Sequence, residues 1–115
     1  MPGTISRQEL KELIDRNAAT VVEALPEGYF EQQHLPGALN LPHDAERERI
    51  EELLPDKSAP VITYCASLTC RNSAQLAVRL EGMGYSDVRD YAEGKADWVQ
   101  AGLPTEAGAV SAAAA

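Results

Sequence analysis

The chain has 115 residues, the usual size of one domain with a single hydrophobic core. Its formal net charge of −8, from 18 acidic and 10 basic residues, excludes the basic stripe of a nucleic-acid-binding surface and disfavours anionic membranes. No apolar run approaches the ~20 residues of a membrane-spanning helix. The polar N-terminus lacks the apolar core of a secretory signal. We therefore expect a soluble cytoplasmic protein without nucleic-acid or membrane partners.

The first part of the chain predicts a helix followed by a buried strand. Ser6 and Glu9 have the spacing of a capping box, in which the side chain of each residue binds the backbone amide of the other. Leucine and isoleucine at helical spacing extend this helix over residues 7–16. Residues 19–25 are β-branched and mostly apolar, which predicts a buried strand that Pro26 ends.

A second strand, a second helix and a third strand follow. Residues 37–42 predict a short strand, and residues 43–56 predict a helix that begins near Asp44. Residues 60–65 begin with proline and continue with β-branched and aromatic residues, so they predict a third buried strand that ends in a cysteine.

The remaining elements complete an alternation of strands and helices. Residues 73–82 carry apolar side chains at helical spacing, residues 86–91 predict a fourth strand, and residues 94–104 predict a short helix anchored by a tryptophan. This alternation predicts an α/β fold with a mostly parallel central sheet flanked by helices. We assign residues 1–105 to the folded domain and residues 106–115 to a flexible alanine-rich tail.

Both cysteines of the chain, Cys65 and Cys70, lie between the third strand and the helix that follows it. A thiol there faces unpaired backbone amides and the positive end of the helix dipole, so we expect the pKa of Cys65 to fall from ~8.5 into the 3.5–7.5 range of nucleophilic cysteines. Arg71 adds a fixed positive charge and a planar set of donors suited to a tetrahedral anion. Hydroxyl donors come from Ser67, Thr69 and Ser73. The plain alternative is that Cys65 is only a small buried residue that ends a strand.

Four segments of the sequence resemble the rhodanese family, single-domain α/β proteins many of which carry sulfur as a cysteine persulfide. The segments are "HLPGALNLP" (residues 34–42), "VITYC" (61–65), "LEGMGYSDV" (80–88) and "EGKADWVQAGLP" (93–104). The resemblance covers about residues 4–105 and implies a three-layer fold with Cys65 as the catalytic nucleophile. It also implies that backbone amides of the loop bind the transferred sulfur, namely those of Ala66, Ser67, Leu68, Thr69, Cys70 and Arg71.

The loop departs from the family pattern in its length. The segment from Cys65 to Arg71 is longer than a typical sulfurtransferase loop, and Ser73 follows Asn72 rather than an arginine. Counting back from the following helix places Asn72 at the position of the family's arginine, so the direction of Arg71 stays open.

Three further positions bear on the site. Glu23 stands where the family usually has an aspartate, and Leu25 stands where an arginine often follows, so a supporting arginine is missing. His34 resembles a family histidine whose commoner role is to hold its turn together, and we expect it to be structural rather than catalytic.

Three other functions stay open. The Cys-x5-Arg spacing is also that of cysteine phosphatases and related arsenate reductases, but Tyr64 replaces the histidine before their cysteine and the loop has no acid to protonate a leaving group. A non-catalytic binding or sulfur-relay module is the second. Zinc coordination by the two cysteines with His34 and His43 is the weakest, because their spacing is unfamiliar. We expect no metal and no other cofactor.

We therefore predict a rhodanese-like sulfurtransferase. It would move sulfane sulfur from a small anionic donor such as thiosulfate, recognised by Arg71, through a Cys65 persulfide to a thiol or cyanide acceptor. The thiol acceptor could also belong to a protein. Cys70 is a candidate resolving thiol that would attack persulfidated or oxidised Cys65, and the alternative is that it only packs beneath the following helix.

Overall fold

The computed structural model describes residues 2–108, and within that range five strands alternate with five helices. The strands are β1 (Gly3–Thr4), β2 (Thr20–Glu23), β3 (Leu39–Asn40), β4 (Val61–Tyr64) and β5 (Val88–Tyr91). The helices are α1 (Arg7–Asp15), α2 (Glu27–Gln32), α3 (Arg47–Leu53), α4 (Asn72–Gly82) and α5 (Gly94–Gln100). Within residues 2–108, none of the helices has the length and apolar character needed to cross a membrane.

The five strands form one parallel sheet with the order β1-β5-β4-β2-β3. Strand β4 is central, and all four of its residues are buried. Its last residue, Tyr64, pairs with Glu23 of β2 and with Tyr91 of β5. The carboxyl ends of three neighbouring strands therefore meet at one edge, where Cys65 follows β4.

Alternate residues of the central strands point into two separate cores. Val61 lies in one core and Ile62 in the other, as the period-2 geometry of a strand requires. The first core joins the sheet to α3 and α4, with Ile50, Leu54, Leu76 and Leu80 among its buried residues. The second core joins it to α1, α2 and α5, with Leu10, Phe30, Leu35 and Trp98. The predicted three-layer α/β fold is confirmed.

Helices α1 and α4 form where the local sequence signals place them. Both hydrogen bonds of the capping box are present: the Ser6 side chain accepts from the Glu9 amide, and the Glu9 side chain accepts from the Ser6 amide. Helix α3 begins later than predicted, at Arg47 rather than near Asp44. The reason is tertiary, because the Arg79 guanidinium binds the carbonyl oxygens of His43 and Ala45 and holds this segment as a turn.

Two short elements were not predicted from the sequence. Pro26 and Gly28 indicated only the end of a strand, yet Pro26 precedes helix α2, which buries Phe30. Strand β1 is exposed and only two residues long, and it exists through its pairing with β5.

The end of the described chain packs against the domain. The backbone of Glu106 exchanges two hydrogen bonds with His34, at 2.9 and 2.8 Å, and the Gly108 amide donates to the Glu31 carbonyl. Residues 106–108 therefore belong to the folded part, although the flexible tail was expected to begin at residue 106. The rest of that expected tail lies outside the described residues.

Candidate functional site

Cys65 is placed by strand β4 at the mouth of the loop that leads into helix α4. Its side chain is buried, with a residue exposure of 1%. The thiol has two hydrogen-bond acceptors, the Cys70 carbonyl oxygen at 3.4 Å and the Ser73 hydroxyl oxygen at 3.3 Å. Both cysteines are free.

The pKa of Cys65 is raised, so the predicted lowering is wrong for this residue. Burial is the main cause, and a hydrogen bond with Cys70 adds to it. The hydroxyl and the amide of Ser73 favour the thiolate and offset only part of this effect. Cys65 therefore needs help to lose its proton at neutral pH.

The more acidic thiol of the pair is Cys70. Burial acts to raise the pKa of Cys70, but the Cys65 thiol and the backbone amides of Ala66 and Asn72 donate to its sulfur, and the net direction is downward. The sequence led us to expect the loop amides around the Cys65 sulfur. Some of them are directed at the Cys70 sulfur instead.

The tip of the loop is exposed and closes on itself. The Cys70 amide donates to the Ser67 carbonyl at 3.0 Å, and the hydroxyls of Ser67 and Thr69 lie 3.1 Å apart. Leu68 projects outward with 70% exposure. Of the six amides predicted to bind sulfur, those of Ala66 and Cys70 already have partners within the loop.

Arg71 and Asn72 have different surroundings. Arg71 is exposed and lines a surface cavity with Ala74, Gln75 and Val78 of α4. Its guanidinium makes no hydrogen bond or ion pair within residues 2–108. Asn72 donates to the Ala24 carbonyl at 3.2 Å and so ties the start of α4 to the end of β2.

Helix α5 clamps the start of the cysteine loop. The amides of Lys95 and Ala96 donate to the carbonyl oxygens of Cys65 and Ala66, at 2.8 and 2.9 Å, which satisfies amides that a helix start leaves free. Gly94 makes this approach possible. It has a φ of +74°, and a Cβ atom there would lie 2.8 Å from both the Cys65 oxygen and the Ser67 nitrogen.

A buried ion pair lies beside the cysteine loop. The ammonium of Lys95 lies 2.9 Å from a carboxylate oxygen of Glu23, which is fully buried. The Tyr64 hydroxyl donates to the other Glu23 oxygen at 2.6 Å and accepts from the Leu35 amide. Burial and the nearby Glu23 charge raise the pKa of Tyr64. Lys95 was not predicted from the sequence, because its partner is remote along the chain.

A second buried carboxylate, Asp90, lies on strand β5. Asp90 pairs with Thr63 in the sheet, and the Thr63 hydroxyl lies 3.2 Å from its Oδ1 atom. The Ser73 hydroxyl also favours the charged form of this carboxylate. Burial raises the pKa of Asp90, and the two hydroxyls offset part of the rise. Asp90 was likewise missed from the sequence, although an acid inside a buried strand was the available signal.

A cavity of about 550 Å³ opens beside the loop, between α2 and α5. Its walls include Tyr29, Ala66, Lys95 and Val99. The cavity thus reaches the residue next to Cys65 and has room for a small molecule or for one side chain of a partner.

The histidines have other positions. His34 is buried, stacks on the Phe30 ring at a centroid distance of 3.8 Å, and its Nδ1 atom lies 2.8 Å from the Phe30 carbonyl oxygen. These contacts give it a structural role. His43 lies in the turn that Arg79 holds. Over residues 2–108, no three or more His, Cys, Asp or Glu side chains are grouped to hold a metal ion.

The parallel sheet and the strand-end cysteine loop define a class of α/β proteins with a thiol site at the edge of the sheet. The sequence profile of the rhodanese-like domain matches residues 6–101. This chain belongs to the rhodanese-like family.

The relatives include proteins of different kinds. The chain is 39% identical over 66 residues to the thiosulfate sulfurtransferase PspE of Escherichia coli K12, across 57% of this chain and 61% of that protein. It is 30% identical over 105 residues to the HTH-type transcriptional regulator Rv0324 of Mycobacterium tuberculosis, across 91% of this chain and 45% of that protein. A solved structure of a rhodanese with anions from E. coli is 32% identical, with a TM-score of 0.66, over 79% of this chain and all of that one. The chain therefore spans about half to three fifths of the length of these two curated relatives.

Replacing Gly94 should destabilise the protein through its contact with the loop. We expect Gly94→Ala to cost about 3 kcal/mol in the free energy of unfolding, from the positive φ and from overpacking against backbone atoms. Gly102→Ala is the matched control, because Gly102 has a φ of +76° and nothing lies within 4 Å of the place where the added methyl group would sit. Its expected cost is about 1 kcal/mol. Equal losses in urea unfolding would contradict a close approach at Gly94.

Removing the Lys95 ammonium should leave Glu23 buried without a cation. We expect Lys95→Met to lower the free energy of unfolding by about 3 kcal/mol. The double variant Glu23→Gln/Lys95→Met should be more stable than this single variant, because it buries no unpaired charge. Lys11→Met, which removes an exposed pair with Asp15, should cost less than about 0.5 kcal/mol. A double variant less stable than Lys95→Met would show that the ion pair is not the cause.

Proposed function

We propose that this protein is a sulfurtransferase that carries sulfane sulfur on Cys65. The observation that supports it most directly is the position of this thiol, at the carboxyl end of the central strand and in a loop that α5 clamps from outside. The similarity to the thiosulfate sulfurtransferase PspE supports the reaction class, and a small anionic donor such as thiosulfate is the proposed substrate.

The reaction has two half-steps. The Cys65 sulfur attacks the outer sulfur of thiosulfate, a Cys65 persulfide forms, and the donor's S–S bond breaks to release sulfite with the electron pair. Cyanide or a thiolate then attacks the outer persulfide sulfur, the persulfide S–S bond breaks, and Cys65 leaves as a thiolate. The cavity bounded by Tyr29 and Val99 is the proposed approach for the acceptor, which is a small thiol or a protein thiol.

Ser73 and Arg71 would assist the reaction of Cys65 with the anionic donor. The Ser73 amide and hydroxyl already favour a negative charge on the Cys65 sulfur. Arg71 is exposed at the start of α4, so its proposed role is to attract the anionic donor at the loop surface rather than to bind sulfur inside it. A cytoplasmic setting, which would keep both thiols reduced, is part of the proposal.

The phosphatase alternative has less support. Tyr64 stands before the cysteine, and its hydroxyl is buried against Glu23 rather than free to act on a substrate. A non-catalytic binding module is the other alternative. The similarity to a transcriptional regulator supports this alternative. Turnover separates these functions.

Replacing the nucleophile should abolish sulfur transfer and leave the fold intact. We expect Cys65→Ala to lower thiocyanate formation from thiosulfate and cyanide by at least about 1,000-fold. Wild type treated with thiosulfate alone should gain one sulfur atom on the peptide that contains Cys65, measured by mass spectrometry. Hydrolysis of an aryl phosphate should stay at background.

Three results would count against this proposal. Wild-type turnover in Cys65→Ala would remove the cysteine from the reaction. Aryl phosphate hydrolysis without sulfur transfer would favour the phosphatase. Persulfide formation on Cys65 without turnover by cyanide or thiols would favour a binding or relay module.

Cys70 is the proposed resolving thiol. Its sulfur is the more acidic of the pair and is hydrogen-bonded to the Cys65 thiol. A Cys70 thiolate would attack the inner sulfur of the Cys65 persulfide, form a Cys65–Cys70 disulfide and release hydrosulfide. With peroxide as the oxidant, it would attack Cys65 sulfenic acid and release water.

Peroxide treatment tests this role. Wild type should lose two hydrogens by intact mass, because the two thiols form a disulfide, whereas Cys70→Ser should accumulate an oxygen adduct on Cys65. Dithiothreitol should restore wild type completely. If both proteins give the same oxidation products, Cys70 only packs in the loop.

A further inference from the structure

We propose that the cavity between α2 and α5 binds a small uncharged thiol with an apolar body, and that this thiol accepts the sulfur carried on Cys65. This inference deepens the proposed function and rests on it for the acceptor role. The class of ligand follows from the walls of the cavity, whose side chains favour apolar surface and offer no partner to a charge.

The size and position of the cavity suit a small ligand next to the cysteine loop. Its volume of about 550 Å³ lies within the range of small-molecule sites. Ala66, the residue after Cys65, belongs to its walls, as do Lys95 and Ala96 of α5. The amides of Lys95 and Ala96 bind the carbonyl oxygens of Cys65 and Ala66, so the cavity and the cysteine loop share one boundary.

The surface of the cavity is mostly apolar. Tyr29 of α2 is 57% exposed and Val99 of α5 is 40% exposed, and both line the cavity. They are two of the four large hydrophobic side chains that are exposed among residues 2–108, and they come from the two helices on either side of the cavity. A ligand with an apolar body would cover both side chains and remove their surface from water, which stabilises the complex.

Lys95 has no donor left for an anion. It is the only charged residue among the described residues that line the cavity. Its ammonium has three hydrogens, and it donates to a Glu23 carboxylate oxygen at 2.9 Å, to the Tyr29 carbonyl at 3.2 Å and to the Gln33 carbonyl at 2.5 Å. Buried Glu23 also compensates its charge. These walls therefore offer an anionic ligand neither an unpaired cation nor a free ammonium hydrogen.

The other polar side chains of the walls are uncharged amides, those of Gln32, Gln33 and Gln100. Exposed acids lie on the same helix as the first of them, at Glu27 and Glu31 of α2, and the chain has a net charge of −8. This field disfavours an anionic acceptor. A cationic acceptor meets no carboxylate in the walls and loses hydration in an apolar site, so an uncharged acceptor fits best.

The transfer step balances with such an acceptor. The thiol loses its proton to solvent, and its thiolate attacks the outer sulfur of the Cys65 persulfide. A new S–S bond forms on the acceptor, the S–S bond at Cys65 breaks, and Cys65 leaves as a thiolate with the electron pair. The product is the persulfide of the acceptor, and the step needs no oxidant or reductant.

Binding without sulfur chemistry is the first test. Benzyl alcohol carries a hydroxyl group in place of the thiol, and phenylacetate carries a carboxylate on a similar body. In titrations followed by backbone amide NMR, benzyl alcohol should shift the amides of Ala66, Ala96 and Val99, and phenylacetate should bind at least about tenfold more weakly. Val99→Ser should weaken benzyl alcohol binding at least about fivefold. Val78→Ser is the matched control, because Val78 is an exposed valine of α4 outside this cavity, and it should keep the wild-type affinity.

Acceptor preference is the second test. Cys65 is first loaded with thiosulfate, and the bound sulfur is counted by mass spectrometry. Transfer is then measured to benzyl mercaptan, to its forms with a para carboxylate or a para aminomethyl group, and to 2-mercaptoethanol, with rate constants compared per thiolate. Benzyl mercaptan should react at least about tenfold faster than the charged forms and at least about fivefold faster than 2-mercaptoethanol. Gln32→Lys adds a cation to the walls and should narrow the gap for the carboxylate form.

The inference is wrong if benzyl alcohol shifts none of these amides, or if phenylacetate binds as tightly. Equal rate constants for all of these thiols, or faster reaction of a charged form, would also overturn it, because the cavity would then not select the acceptor. Failure of Cys65 to load with thiosulfate would contradict the proposed function and with it the acceptor role. The NMR titration would still decide which class of ligand the cavity binds.

Discussion

Two hydrogen bonds between helix α5 and the cysteine loop determine the shape of the site. The amides of Lys95 and Ala96 hold the carbonyl oxygens of Cys65 and Ala66. In a trans peptide the carbonyl and the next N–H point in opposite directions. With the Cys65 carbonyl turned toward α5, the Ala66 amide faces the inside of the loop, where it meets the sulfur of Cys70. Gly94 allows the two backbones to come this close.

The two buried carboxylates near Cys65 have opposite surroundings. Glu23 is neutralised by the Lys95 ammonium and accepts the Tyr64 hydroxyl, so it joins β2, β4 and α5 as a structural unit. Asp90 meets hydroxyls and thiols instead of a cation. A nearby cation lowers the pKa of a carboxylate, so that carboxylate has little tendency to take up a proton. A buried carboxylate without a cation keeps that tendency. The same side-chain chemistry is thus paired with a cation at one place and with uncharged groups at the other.

Local signals predicted much of the fold and the position of Cys65 at the end of a strand. The capping box of α1, the apolar run of β4 and the helical spacing of α4 depend on neighbouring residues, and all three are confirmed. The length of the loop and the position of Cys65 at the end of a strand were likewise predictable from the sequence. Helix α2 was missed because its proline and glycine are also typical of a turn.

The features that could not be predicted depend on partners remote in sequence. Glu23 and Lys95 are 72 residues apart, so neither residue alone predicts the ion pair. The pKa of Cys65 depends on how deeply the loop buries it and on which sulfur the amides face. A helix start in the sequence predicts free amides, but it does not say where they point. Asp90 carried a weaker signal, an acid in a buried strand, and its hydrogen-bond partner Thr63 is also remote in sequence.

The position of α5 near the end of the domain has a consequence for synthesis on the ribosome. Chains emerge from the N-terminus, so Cys65 and its loop leave the ribosome before Gly94 and the helix that clamps them. Until α5 docks, the carbonyls of Cys65 and Ala66 lack their partners and Glu23 lacks its cation. The surroundings of Cys65 are therefore complete only after α5, the last helix of the described chain, has docked.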